Sequence, residues 1–184
     1  MHFVVMMRDI DLFGLFAVIS IGTSLFTAYL IMLILSFSLM NRFKKKIKKQ
    51  GEKVNIIIYQ KFEVLSELSL ILDTYIKSES RLKHLTKEEI KNYISLSPES
   101  FSEVYSISNQ LTSRAQKIYV DNDFNGKQKE VDLLFESLSE LDSKYFESIQ
   151  TYNSYVLGYN YWRNLKTTRW LKNLFKAKRI ESIN

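Results

Sequence analysis

The chain has 184 residues and a net charge of +6 at pH 7, room for one ordinary domain and an appendage. It has no cysteine, which excludes disulfides, thiolate metal sites, a cysteine nucleophile and a lipidated cysteine, and its one proline and five glycines favour a few long helices over many short strands. The charge is unevenly spread: residues 42–53 carry seven Lys or Arg against one Glu, residues 163–179 carry seven against none, and the remainder sums to −7.

Residues 1–11 form a short segment holding Arg8, Asp9 and Asp11. Residues 12–40 contain no charged side chain and are rich in Leu, Ile and Phe, where roughly 20 apolar residues suffice to cross a bilayer as a helix. A transmembrane helix is expected there. A signal peptide would begin with basic residues and have a shorter apolar core of about 7–15 residues, and a soluble helix apolar on every side would need a larger protein around it. Arg42, Lys44, Lys45, Lys46, Lys48, Lys49 and Lys53 follow the span directly, while Arg8 and His2 precede it beside two acids. Positive flanks stay in the cytoplasm, so residues 1–11 are expected outside and residues 41–165 inside. The same basic cluster, Arg42, Lys44, Lys45, Lys46, Lys48 and Lys49, is a candidate lipid-facing site, each cation near an anionic surface contributing about 1 kcal/mol.

Beyond it, Val54, Ile58, Phe62, Leu65, Leu68, Leu72 and Tyr75 recur at threes and fours, the period of a helix buried on one face. Gly51 interrupts at a cost of roughly 1 kcal/mol, which a helix tolerates, so the first helix is expected to run on to about His84. Thr86 with Glu89 reads as a capping box opening a short helix to about Ile94. Ser97, Pro98 and Glu99 make a stronger start signal, followed by Phe101, Val104, Ser108, Leu111, Ala115 and Ile118 at helical spacing. Residues 121–126, Asp-Asn-Asp-Phe-Asn-Gly, form a turn by composition.

The most regular pattern comes next. Val131, Leu134, Leu138, Leu141, Tyr145, Ser148, Tyr152, Tyr155, Tyr159 and Trp162 alternate in threes and fours, a sustained heptad seam that Phe135, Ile149 and Val156 widen towards two neighbouring helices. From Tyr145 the seam is rich in tyrosine, whose buried hydroxyls need polar partners. Residues 166–184 form a basic amphipathic tail, in which Arg169, Lys172 and Lys176 flank Trp170, Leu171, Leu174 and Phe175. Such a tail suits a membrane surface, an acidic partner, or the open end of a bundle.

The fold expected is all-α: an N-terminal transmembrane helix followed by an antiparallel three- or four-helix bundle. Segments 41–84, 86–119 and 127–165 have similar lengths, which suggests an up-down-up path carrying the tail to the far end, roughly 60 Å from the bilayer. If residues 86–94 form a full layer of their own, the tail returns to the membrane.

The run Tyr152-Asn153-Ser154-Tyr155-Val156-Leu157-Gly158-Tyr159-Asn160 resembles the repeated Tyr-Asn signature of the LemA family of bacterial membrane-anchored helical proteins. Leu134, Leu138 and Asp142 upstream, Leu171, Leu174 and Phe175 downstream, and more loosely Leu65, Leu68, Tyr75 and Glu79, fall at similar spacings. The chain departs from the family at Ser66, at Ile149, and near Leu165 and Lys166, as a divergent member would. The resemblance implies a single-pass protein of the bacterial inner membrane with a cytoplasmic helical bundle and no established enzymatic activity. On physical grounds Tyr152, Asn153, Tyr159 and Asn160, with Val156 between them, are expected to clamp the long helix to the first; a polar groove for a partner peptide is the alternative.

Catalytic chemistry is not foreseen. His2 and His84 are too few and too separate for a metal site or acid-base pair, no glycine-rich phosphate loop occurs, and Glu88, Glu89, Glu136 and Glu140 lack Glu-x-x-His companions. No cofactor is expected, and one basic tail without a recognisable module argues against nucleic acid as a partner. The expected role is a non-enzymatic scaffold or protein-interaction module, with an unidentified protein partner or self-association. Binding or remodelling of anionic lipid is the alternative.

Overall fold

The computed structural model describes residues 2–73, 98–122, 124, 126–165 and 178–183, with side chains from residue 12 onward except that of Glu99. Among these residues there are three α-helices and no strand. Helix α1 is His2–Asp73, α2 is Phe101–Asp121 and α3 is Gln128–Asn164, with a 3-10 turn at Pro98–Ser100 leading into α2. The capping box at Thr86, the Ser97 cap, the polar residues 77–84 and the tail side chains Arg169, Trp170, Lys172, Phe175 and Lys176 lie outside the described residues.

The chain divides into two compact units, residues 1–42 with 159–179 and residues 43–158 with 180–184. In the first unit α1 is helical from His2 and carries one stretch long and apolar enough to cross a membrane. Its side chains point outward and uncovered, Phe13 being 80% and Val18 69% exposed. A water-soluble helix would bury such residues. Three hydroxyls of the stretch are bonded to the helix's own carbonyls: Thr23 donates to Ile19 and Ser20, Thr27 to Thr23 and Ser36 to Met32. Such bonds satisfy a threonine hydroxyl within the helix, without calling on water. Leu33, Ser36 and Met40, spaced three and four apart, are buried along one face of α1, and the Tyr159 hydroxyl donates to the Lys178 carbonyl at 3.3 Å.

The second unit is a three-helix bundle. Val54, Ile58, Phe62, Leu65, Leu68 and Leu72 of α1 are all buried, as their spacing requires. From α2 come Phe101, Val104, Ala115 and Ile118, and from α3 Val131, Leu138, Leu141, Tyr145, Tyr152 and Val156. Fully burying each large apolar side chain contributes about 1.5–3 kcal/mol before entropy is charged, so this interior is the main stabilising term. Of the heptad seam on α3, Leu134, Tyr155 and Trp162 are half-buried and the other seven positions are buried. Of the expected turn at 121–126, residues 123 and 125 lie outside the described residues; Gly126 takes φ 87°, a conformation glycine adopts freely. Phe124 beside it is 3% exposed and meets the Tyr119 ring at 5.5 Å, while the Tyr119 hydroxyl donates to Asp132 at 2.7 Å. These contacts close α2 onto α3 as an antiparallel pair.

The direction of α2 departs from the up-down-up path. Gly51 lies against Phe101, and Lys61 bonds Asn109 at 2.5 Å, so along this pair both numbers rise together and α2 runs parallel to α1. Helix α3 opposes both: Gln50 donates to the Ser148 carbonyl at 3.1 Å, and Phe43 packs against Tyr155 and Gly158. Within the second unit, Tyr155 and Gly158 of α3 therefore lie beside Phe43, whereas an outgoing α3 would carry them away from it. Helix α2 is thus a second leg in the same direction as α1, a course that the burial period of either helix leaves open. Residues 86–94, on which the four-layer alternative turns, lie outside the described residues.

Candidate functional site

The largest concentration of polar chemistry in the bundle is internal. Lys61 is 1% exposed, and its ammonium meets the Asp142 carboxylate of α3, the Asn109 side-chain oxygen of α2 at 2.5 Å and the face of the Tyr105 ring at 4.4 Å from its centroid. The Tyr105 hydroxyl donates to the same Asp142 oxygen at 2.8 Å, and its ring stacks on Tyr145 at 3.7 Å. Burial lowers the pKa of Lys61, and the hydrogen bond and charge of Asp142 oppose that shift. Burial first, then the bond to Asp142, raises Tyr105; burial alone raises Tyr145 to about 12. One residue from each of two helices and two from the third thus satisfy one another, an arrangement that fixes register.

Neither Lys61, Tyr105 nor Asn109 stood out in the sequence, although a signal was present. Ile47, Gly51, Val54, Ile58, Lys61, Leu65, Leu68 and Leu72 form an unbroken alternation of fours and threes, all of them buried. A lysine on such a seam calls for a carboxylate opposite, and Asp142 is next to Leu141 of the facing seam.

The Tyr-Asn segment splits between two surfaces. Tyr152 (1% exposed) and Val156 (0%) enter the core, with Tyr152 near Gly51 of α1. Gly158 admits the Phe43 ring so closely that a Cβ there would lie 2.6 Å from it. Asn153 does not reach α1. Its amide nitrogen donates to the Ile183 carbonyl at 2.7 Å and its oxygen accepts from the Ile183 N–H at 2.8 Å. Tyr159 is buried and bonds the Lys178 carbonyl; Asn160 is half-buried. Towards α1 the segment presents Tyr152, against Gly51, and Gly158, against Phe43, while Asn153 bonds Ile183. Nearby, the Ser148 hydroxyl is buried with no hydrogen-bond partner among the described residues.

The basic cluster is on the surface. Arg42, Lys44, Lys45, Lys46, Lys48, Lys49 and Lys53 are all exposed. Lys48 approaches Glu52 at 4.0 Å and Lys46 sits over the Tyr155 ring at 5.1 Å. Among the described residues, no group of three or more His, Asp or Glu is placed to hold a metal ion.

Comparisons with protein-family models, with curated proteins and with solved structures gave no match.

Proposed function

We propose that the chain is a membrane-anchored, non-enzymatic interaction module of the LemA type, a helical bundle held at the cytoplasmic face of a bacterial inner membrane with residues 1–11 outside. The observation that carries this reading is α1 itself. One helix passes without a break from an exposed apolar stretch, through a cluster of seven exposed cations, into the buried seam of a bundle. An apolar stretch of that length needs a bilayer, the cations favour the cytoplasmic side, and the bundle presents surfaces for a partner. The family likeness rests on the repeated Tyr-Asn pairs at Tyr152-Asn153 and Tyr159-Asn160.

The chain has no native cysteine, so single cysteines report topology directly. In intact cells, an impermeant maleimide is expected to label Asp9→Cys and to spare Ser139→Cys until the membrane is permeabilised. Labelling of Ser139→Cys in intact cells would reverse the orientation.

A second reading, engagement of anionic lipid, is favoured by the path of α3, which brings Tyr155 and Gly158 back beside Phe43 and Lys46 of the basic cluster. Salt-sensitive enrichment of anionic over zwitterionic lipid around the reconstituted chain is the outcome expected of it.

A further inference from the structure

The last described residues are held by a device suited to recognition. Residues 178–183 belong to no helix, and Ile183 is gripped at both backbone polar groups by the carboxamide of Asn153 while its own side chain is 7% exposed. A carboxamide that donates to the carbonyl and accepts from the N–H of one residue reads an open backbone whatever the side chain, and the buried isoleucine adds the apolar preference. Glu181 and Ser182 on the same strap point to solvent and contribute no such grip.

We infer that this face of α3 is a docking groove for a non-helical segment of a partner protein carrying an aliphatic residue in the place of Ile183, and that the chain's own residues 180–183 occupy it in cis. The inference rests on reading the chain as an interaction module, and names its site. The cis strap acts as a built-in competitor: it lowers the apparent affinity for any partner by the fraction of time the groove is covered. The hold consists of two hydrogen bonds to one side chain and one buried aliphatic group, few enough for a partner segment of the same kind to displace.

The probe is a labelled, end-blocked peptide with the sequence of residues 179–184, Arg-Ile-Glu-Ser-Ile-Asn, titrated by fluorescence anisotropy against the full chain in micelles. Ile183→Asp removes the buried anchor in cis and is expected to bind the peptide roughly tenfold more tightly than the unsubstituted chain. Adding Asn153→Ala to that variant is expected to weaken binding again by roughly tenfold, the loss of two hydrogen bonds. A peptide carrying Asp in place of its second isoleucine is expected not to bind. Asn153→Asp, which keeps the side-chain size but turns a donor into an acceptor against the Ile183 carbonyl, serves as a second variant should Asn153→Ala not melt cooperatively. The inference is overturned if a cooperatively melting Ile183→Asp chain fails to bind the peptide, or if the Asn153 variants bind it as well. It is also overturned if the full chains exchange straps as dimers while peptide never competes. Because the titration needs no membrane, its failure removes the groove and leaves the anchored bundle standing, whereas a reversed topology leaves the groove intact.

Discussion

The ammonium of Lys61 on α1 meets the carboxylate of Asp142 on α3 inside the bundle, but the two are unequally placed: the lysine side chain is 1% exposed and the aspartate 31%. Removing the partner of a buried charge costs about 3–5 kcal/mol, because the survivor keeps its desolvation penalty without compensation. The inequality gives a direction. Asp142→Leu strands a fully buried ammonium and is expected to cost the upper part of that range. Lys61→Met leaves a carboxylate that retains water and the Tyr105 hydroxyl, and is expected to cost clearly less. The double variant is expected to recover to within about 1–2 kcal/mol of the parent, since apolar replacements of a buried pair are often neutral. Chemical denaturation of the four proteins checks this, and equal losses for the two single variants would contradict it.

Alkaline pH tests the same cluster. Burial raises Tyr145 to about 12 and, together with Asp142, raises Tyr105 as well. Above pH 10 the folded chain then holds protons that the unfolded chain has lost, so stability falls as pH rises, by up to about 1.4 kcal/mol per unit for each tyrosine. Lys61 acts oppositely: its lowered value means that stability gained from it rises with pH until the ordinary lysine value of 10.5 is passed. The net decline is therefore expected above about pH 10.5. Thermal melts between pH 9 and 11.5 are expected to show a shallower decline for Tyr145→Phe than for the parent; identical slopes would contradict the assignment.

The seam on α3 and the bundle face of α1 were legible in the sequence because burial on one side imposes a period, and that period survives even where the residue type changes from Leu to Tyr. Lys61 was not legible because Phe62, one position on, also fits the spacing after Ile58, and an apolar residue satisfies the pattern without demanding a partner. The parallel course of α2 was hidden for another reason. Periodicity reports which face is buried and says nothing of direction, which here depends on pairs such as Gly51 with Phe101. Asn153 was singled out, but its partner Ile183 lies in a stretch with no period to announce it.

Gly158 is a test of close packing. An added Cβ would lie 2.6 Å from the Phe43 ring, so Gly158→Ala forces the ring aside at about 1–3 kcal/mol, against a helix-propensity gain of about 1 kcal/mol. A net loss of up to about 2 kcal/mol is expected in the parent. In a Phe43→Leu background the obstacle is smaller, and the same substitution is expected to become neutral or stabilising. Melting temperatures of the four proteins give the answer, and equal effects in both backgrounds would contradict the contact.

The exposed cations after the apolar stretch make a prediction about lipid. Replacing Lys44, Lys45, Lys49 and Lys53 by Gln removes four charges, each worth about 1 kcal/mol near an anionic surface. The fraction of spin-labelled anionic lipid immobilised by the reconstituted chain is expected to fall towards that of the zwitterionic lipid, with Arg42, Lys46 and Lys48 keeping the rest of the preference. An undiminished preference would move the lipid contact elsewhere.

The claim on which the rest depends is that α3 comes back to the basic cluster instead of leading away from it. Lys49 and Gln150 are both exposed, and the contact of Gln50 with Ser148 places them at the same level. Spin labels at Lys49→Cys and Gln150→Cys in the membrane-reconstituted chain are expected to lie about 10–20 Å apart, the spacing of neighbouring helices plus label arms. If α3 ran outward in parallel with α1, the labels would be separated by about 35 Å, and the account of the bundle would be wrong.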